Sequence, residues 1–159
     1  GGNYGAANRA GDRAIEKGFS QVLWLDGVER KYVEEGGGMN VMFKIGGTVV
    51  TPALTGSILR GITRKSSIEL LKSWDVPVEE LLLSVDELFN AAESGALEEA
   101  WCVGTAAVVS PIGTLSWDGR DYPINGNKIG ALSRRLYDEL TGIQWGTKPD
   151  PFGWTCPID

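Results

Sequence analysis

Histidine is absent from all 159 residues of the chain. That gap removes Ser-His-Asp triads, imidazole metal sites and histidine general bases, and no metal site is expected. Any chemistry must come from carboxylates, lysine, tyrosine, backbone amides or a cofactor. Cysteine is scarce too. Cys102 and Cys156 are far apart and read as reduced thiols of a reducing, cytoplasmic compartment rather than as a disulfide scaffold. Positive charge is in deficit, 15 Lys and Arg against 21 Asp and Glu, so a nucleic-acid partner is not expected. No apolar run approaches the roughly 20 residues of a membrane span, and no signal-peptide pattern opens the chain.

Glycine, by contrast, is plentiful, and its placement is the most informative feature. Glu34 and Glu35 run directly into Gly36, Gly37 and Gly38, followed by an apolar strand over 41–45. Glycine triplets form neither good strands nor good helices. They mark backbone that bends sharply or approaches something closely, so an acid beside them can be presented to a ligand from a strand end. The length suits one domain with a real core. The opening GGNYG, from Gly1 without an initiator Met, has the turn character of a protein interior, so the chain reads as a piece of something longer.

Local patterns predict a helix over 6–17, ended by Gly18, then a buried strand over 21–25 with an Asp26-Gly27 turn. A returning strand over 31–33 delivers Glu35, and 41–45 with 48–52 form a hairpin across Gly46-Gly47. Ile68, Leu71 and Trp74 recur at helical spacing, which predicts a helix beginning near 61–63. A Gly-X-Thr at a helix start offers backbone N–H groups, a hydroxyl and the positive dipole end to an anion, though a plain N-cap is the commoner meaning. A strand over 78–84 precedes a helix from 84 to 92 with a capping-box pattern. Strands over 99–103 and 108–111 flank a small-residue bend at 104–107, and 114–124 reads as a hairpin around Asp118-Gly119. Residues 128–140 make an amphipathic helix with Ile129, Leu132, Leu136 and Leu140 on one face. The proline-rich tail is expected to wrap the surface, pinned by Trp145 and Trp154.

Six stretches taken together resemble the branched-chain amino acid aminotransferases, pyridoxal-phosphate enzymes of fold type IV. They are GGNYG at 1–5, QVLWLDG at 21–27, EEGGGMN at 34–40, LRGITRK at 59–65, GTAAVVSP at 104–111 and DPFGW at 150–154. They fall in family-like order and spacing over essentially the whole chain. The resemblance implies an α/β (mixed α+β) fold: residues 1–159 as the C-terminal cofactor-binding domain, a mostly antiparallel sheet or pseudo-barrel flanked by helices. It further implies that Glu35 faces the pyridine nitrogen of pyridoxal phosphate and that Tyr4 bonds its phenolic oxygen. Leu59 would pack on the ring, and Ile62 and Thr63 would hold the phosphate. Gly38, Thr105 and Ala106 would line the substrate site, the last two binding its carboxylate. Tyr4 and Leu59 also have plain readings as core residues. Gly38 stands where many relatives carry Thr, which removes a hydroxyl near the substrate. Ala107 and Ser110 replace the redox cysteine pair of some relatives, so no thiol switch is expected.

The Schiff-base lysine of the family falls upstream of Gly1, two residues before the GGNYG glycines and outside this chain, and so does the N-terminal domain. No catalytic residue is therefore expected within the chain itself, and the isolated piece is expected to be inactive. The implied parent activity is transfer of an amino group from leucine, isoleucine or valine to 2-oxoglutarate. Its partners would be amino and 2-oxo acids, the N-terminal domain and a second subunit, with no membrane. A D-amino acid aminotransferase or aminodeoxychorismate lyase shares the cofactor architecture, and a non-catalytic phosphate-binding or assembly module is the reading from another class.

Overall fold

Strand β3 (Met39–Ile45) is buried on both faces, and the molecule is layered around it. The computed structural model describes residues 5–156 and 158. Period-two alternation sends Val41 and Phe43 into one apolar cluster and Met42 into the other. Strand β6 (Leu97–Gly104) runs antiparallel along one edge of β3, from Asn40 opposite Val103 to Ile45 opposite Leu97. It repeats the alternation, with Ala100 and Cys102 on the first face and Trp101 and Val103 on the second. The other edge of β3 is shared. Strand β2 (Val33–Gly36) pairs with its start and β4 (Thr48–Pro52) with its end.

Further strands extend this frame. β1 (Leu23–Leu25) lies on β2, β5 (Val78–Leu81) on β4, and β7 (Val108–Pro111) on β6. The β4–β5 pair alone in this sheet is parallel, joined by the crossover helix α2 (Ile62–Ser73). Arg64 of α2 is buried, donating to the Pro52 carbonyl (3.0 Å) and to Glu80 (2.7 Å), which ties the helix to both strands it connects. Helix α3 (Val85–Ser94) and the hairpin β8 (Thr114–Trp117) and β9 (Arg120–Pro123) cover the first face. Helices α2 and α4 (Ala131–Gln144) cover the second. The architecture is the expected mixed one, a mostly antiparallel sheet between helices. No helix of the described residues is long and apolar enough to cross a membrane.

The glycine turns behave as their dihedrals require. Gly46 and Gly47 at φ 55 and 83, and Asp118 and Gly119 at φ 48 and 75, close two hairpins whose twist needs positive φ at both positions. The capping box of α3 is present in both directions between Ser84 and Glu87. Several expectations shift: β5 stops at Leu81, three residues short of 84, and β2 spans Val33–Gly36 where 31–33 was expected. β6 begins at Leu97, two residues early, because Gly95 in the left-handed region ends α3 at once. α4 begins at Ala131 instead of 128, leaving Ile129 outside it and 55% exposed. In the tail, Trp154 stacks on Phe152 (4.3 Å between centroids) against the second cluster, but Trp145 is 82% exposed and pins nothing.

α1 (Gly5–Glu16) forms as expected yet buries none of its residues. After it, Asp26 organises the β1–β2 link: its carboxylate accepts N–H bonds from Val28, Glu29, Lys31 and Tyr32 at 2.6–3.2 Å. The Tyr32 N–H, then the Lys31 N–H, hold the Asp26 carboxyl well below the usual carboxylate range. Its contribution to stability is therefore complete at neutral pH and fades as pH falls from the ordinary aspartate range down through that lowered value. A carboxyl NMR titration is expected to show Asp26 protonating below the ordinary aspartates. Asp26→Ala is expected to remove that acid-end step while leaving the α2–α4 side of the sheet unchanged.

Candidate active site

The β2–β3 register sets Glu35 opposite Asn40, and Asn40 faces Val103 of β6 on its other side. An acid, an amide and the strand leading to the Thr105–Ala106 turn thus share one end of the sheet. Between the acid and the amide the chain turns on glycines. A Cβ on Gly36 would lie 2.5 Å from the Cys102 Sγ, and one on Gly37, at φ 60, would lie 2.1 Å from the Gln21 Oε1. The Trp24 indole N–H donates to the Gly37 carbonyl (2.9 Å). The tightness of this bend is thus set by the protein's own side chains. Gly38 is the exposed member of the three. Burial pushes the Cys102 thiol up to about 12, so it stays protonated and unreactive at neutral pH.

Strand alternation sends Glu34 and Glu35 to opposite sides, and both reach the loop before α2. Glu34 accepts from the Ser57 hydroxyl and is half-buried. Glu35 accepts the Leu59 N–H at 3.2 Å through Oε1. Burial raises the Glu35 carboxyl above the usual range. The Leu59 N–H works against that rise, and the charge of Glu34 adds to it. A carboxylate short of solvent in this way gains most from a cationic or proton-bearing neighbour.

Asn40 escaped the sequence reading although it closes the EEGGGMN motif. It is buried, and its Nδ2 donates to the Leu59 carbonyl (2.7 Å) and, at 3.5 Å, to the Glu35 Oε1. The available signal was arithmetic: a two-residue turn at 37–38 sets residue 35 across from residue 40. Gly61 follows at φ 65 as the N-cap of α2, with no side-chain cap, so the amides of Ile62 and Thr63 open the helix uncapped. Leu59 and Ile62 present exposed side chains, 74% and 78%, while Thr63 is buried. The structure therefore joins Glu35 directly to Leu59 and places Ile62 and Thr63 one short step beyond.

Thr105 and Ala106 lie exposed in the β6–β7 turn, two and three residues past Val103. Among the described residues no hydrogen bond ties them to the Glu35 cluster. The turn ends on Val108 at φ 58, a costly backbone for a β-branched residue. Tyr4 lies outside the described residues, and so does Gly1, upstream of which the Schiff-base lysine is expected.

A family model described as amino-transferase class IV matches residues 1–115. The chain belongs to the class IV aminotransferases. Branched-chain-amino-acid aminotransferase 2 of Bacillus subtilis (strain 168) is 53% identical over 157 residues, which is 99% of this chain and 43% of that protein. The structure of the branched-chain amino acid aminotransferase from Escherichia coli superposes with a TM-score of 0.79 at 31% identity, over 97% of this chain and 48% of that one. The T.th. branched-chain amino acid aminotransferase complexed with N-(5'-phosphopyridoxyl)-L-glutamate does so at 0.80 and 30%, over 97% and 47%. The chain thus spans less than half the length of the relatives it matches.

In this class IV aminotransferase chain an open cavity of about 1040 Å³ lies apart from Glu35, Asn40, Leu59 and the start of α2. It runs between α1, β1 and the segment from Ser110 to Gly119, and touches the glycine bend at Gly36 and Met39. Glu35, Leu59, Thr63, Thr105 and Ala106 do not line it. The candidate site is instead an exposed ledge at the sheet end.

Proposed function

We propose that this chain is the C-terminal, cofactor-holding domain of a branched-chain amino acid aminotransferase and that the ledge receives pyridoxal phosphate. The observation that carries the reading is the bonded path from Glu35 through Leu59 to the uncapped start of α2. It supplies an acid for a protonated ring nitrogen at one end and amides for a phosphate at the other. The donor set therefore fits the group, and the phosphopyridoxyl and pyridoxamine compounds named with the T.th. relatives support it. When bound, pyridoxal phosphate supplies an electron sink for charge developing at the substrate Cα.

Each residue then has a defined task. Glu35 keeps the ring nitrogen protonated. Leu59, already exposed, covers a ring face. The Ile62 and Thr63 amides and the Thr63 hydroxyl hold the phosphate, Tyr4 meets the phenolic oxygen, and the Thr105 and Ala106 amides receive the substrate carboxylate beside Gly38. Lys44, Lys65 and Lys148 pair with Glu98, Glu69 and Glu139, and the amine the reaction needs is expected, as the family resemblance implies, from elsewhere in the whole enzyme. The substrates would be branched-chain amino acids and 2-oxoglutarate, in a cytoplasmic homodimer.

Titrating the chain with pyridoxal phosphate is expected to give a saturable absorbance change that inorganic phosphate competes away. Leucine and 2-oxoglutarate added to that mixture are expected to yield no glutamate at an enzyme-like rate. Absence of saturable binding would refute the cofactor site, and rapid glutamate formation would refute the division of labour.

A further inference from the structure

Asn40 has a connectivity that the cofactor reading does not require. Its Nδ2 donates to the Leu59 carbonyl at 2.7 Å and reaches the Glu35 Oε1 at 3.5 Å, and the Leu59 N–H donates to that same oxygen at 3.2 Å. Three residues from β2, β3 and the loop before α2 thus form a closed ring of hydrogen bonds. The amide oxygen of Asn40 has its own contact: it lies 2.0 Å from where a Cβ on Gly61 would stand. The loop is therefore drawn down onto Asn40 on both sides of Arg60, immediately before α2 begins.

We propose that Asn40 is a positioning residue that fixes the separation between Glu35 and the N-terminus of α2. The proposal rests on the function proposed above, in which those two points hold opposite ends of one ligand. The side chain is chemically restricted. It must donate to a carbonyl and to a carboxylate at once, and only the neutral amide does both without adding charge. Aspartate would set a second negative charge beside Glu35 and lose the donor to Leu59. Leucine would leave the Leu59 carbonyl without this partner and Glu35 with one donor fewer.

The test compares the chain with its Asn40→Ala and Asn40→Ser variants by three readouts. Amide shifts of Ile62 and Thr63 report inorganic phosphate, absorbance reports pyridoxal phosphate, and a carboxyl NMR titration reports Glu35. Phosphate touches only the helix start, so its affinity is expected to stay within about twofold. Pyridoxal phosphate must span both points, and its affinity is expected to fall about tenfold in Asn40→Ala. The Glu35 titration is expected to move upward, with Asn40→Ser, which keeps a donor, between the two. Equal losses of both ligands with Glu35 unmoved would mean that Asn40 only stabilises the fold, and would overturn the proposal. Should Asn40→Ala not fold, Asn40→Ser decides by the same criteria. If the unaltered chain binds phosphate but not pyridoxal phosphate, the cofactor reading fails by itself. The Glu35 titration then decides the role of Asn40, and an unmoved value overturns it.

Discussion

Gly130→Ala is expected to destabilise the fold by about 3–5 kcal/mol, although Gly130 sits at φ −71 and ψ 154, where any residue is comfortable. The reason is occupancy. A Cβ there would lie 1.9 Å from the Oε2 and 2.0 Å from the Cδ of Glu99. Glu99, buried on β6, accepts the Leu132 N–H (3.0 Å) and the Ser133 N–H (2.9 Å), so it caps α4 from a neighbouring strand. A methyl group at 130 would evict the carboxylate, leaving two helix amides and a buried acid without their partners. Urea unfolding measures the loss. The mechanism also predicts strong non-additivity: in a Glu99→Ala background the same glycine change is expected to cost less than about 1 kcal/mol, because nothing remains to collide with. Additive losses would show that the glycine matters for some other reason.

That cap explains why the start of α4 was misplaced in reading the sequence. Apolar spacing over 128–140 starts a helix at Lys128, but helices start where their first amides are satisfied. Here the acceptor is 33 residues earlier in the chain, on a strand, and no local pattern carries it. Hairpins were legible for the opposite reason. Gly46-Gly47 and Asp118-Gly119 contain within two residues everything the turn needs. Strands β3 and β6 were legible as apolar runs, since both of their faces are covered and both alternating sets must be hydrophobic. At the candidate site, Glu35 and the start of α2 could be read as an acid on a bend and a glycine before a helix. Their connection could not, because it runs through the backbone of Leu59 and the side chain of Asn40. The glycine bend was legible as tight, but its cause was not: Cys102 and Gln21 crowd it from distant positions.

Glu35→Gln is expected to move stability and activity in opposite directions. Burial is the main cause of the raised Glu35 carboxyl, so the folded state takes up its proton more readily than the unfolded chain does. The charged form therefore costs stability above the raised value. The cost disappears as pH falls toward the ordinary glutamate range of about 4.3. A glutamine keeps an oxygen for the Leu59 N–H and carries no charge to desolvate. The melting temperature of Glu35→Gln is thus expected to exceed that of the parent at pH 7, with the difference shrinking on acidification. In a full-length enzyme carrying this chain, the same change is expected to lower kcat by about 10²-fold or more, the scale of losing one preorganised electrostatic partner. An amide cannot hold the ring nitrogen protonated. A melting temperature that falls at every pH would mean that Glu35 is there to hold the loop. A higher melting temperature with unchanged kcat would mean that its desolvation serves no ring. Only a raised melting temperature together with a lowered kcat fits an acid kept in an unfavourable place for the ligand it meets.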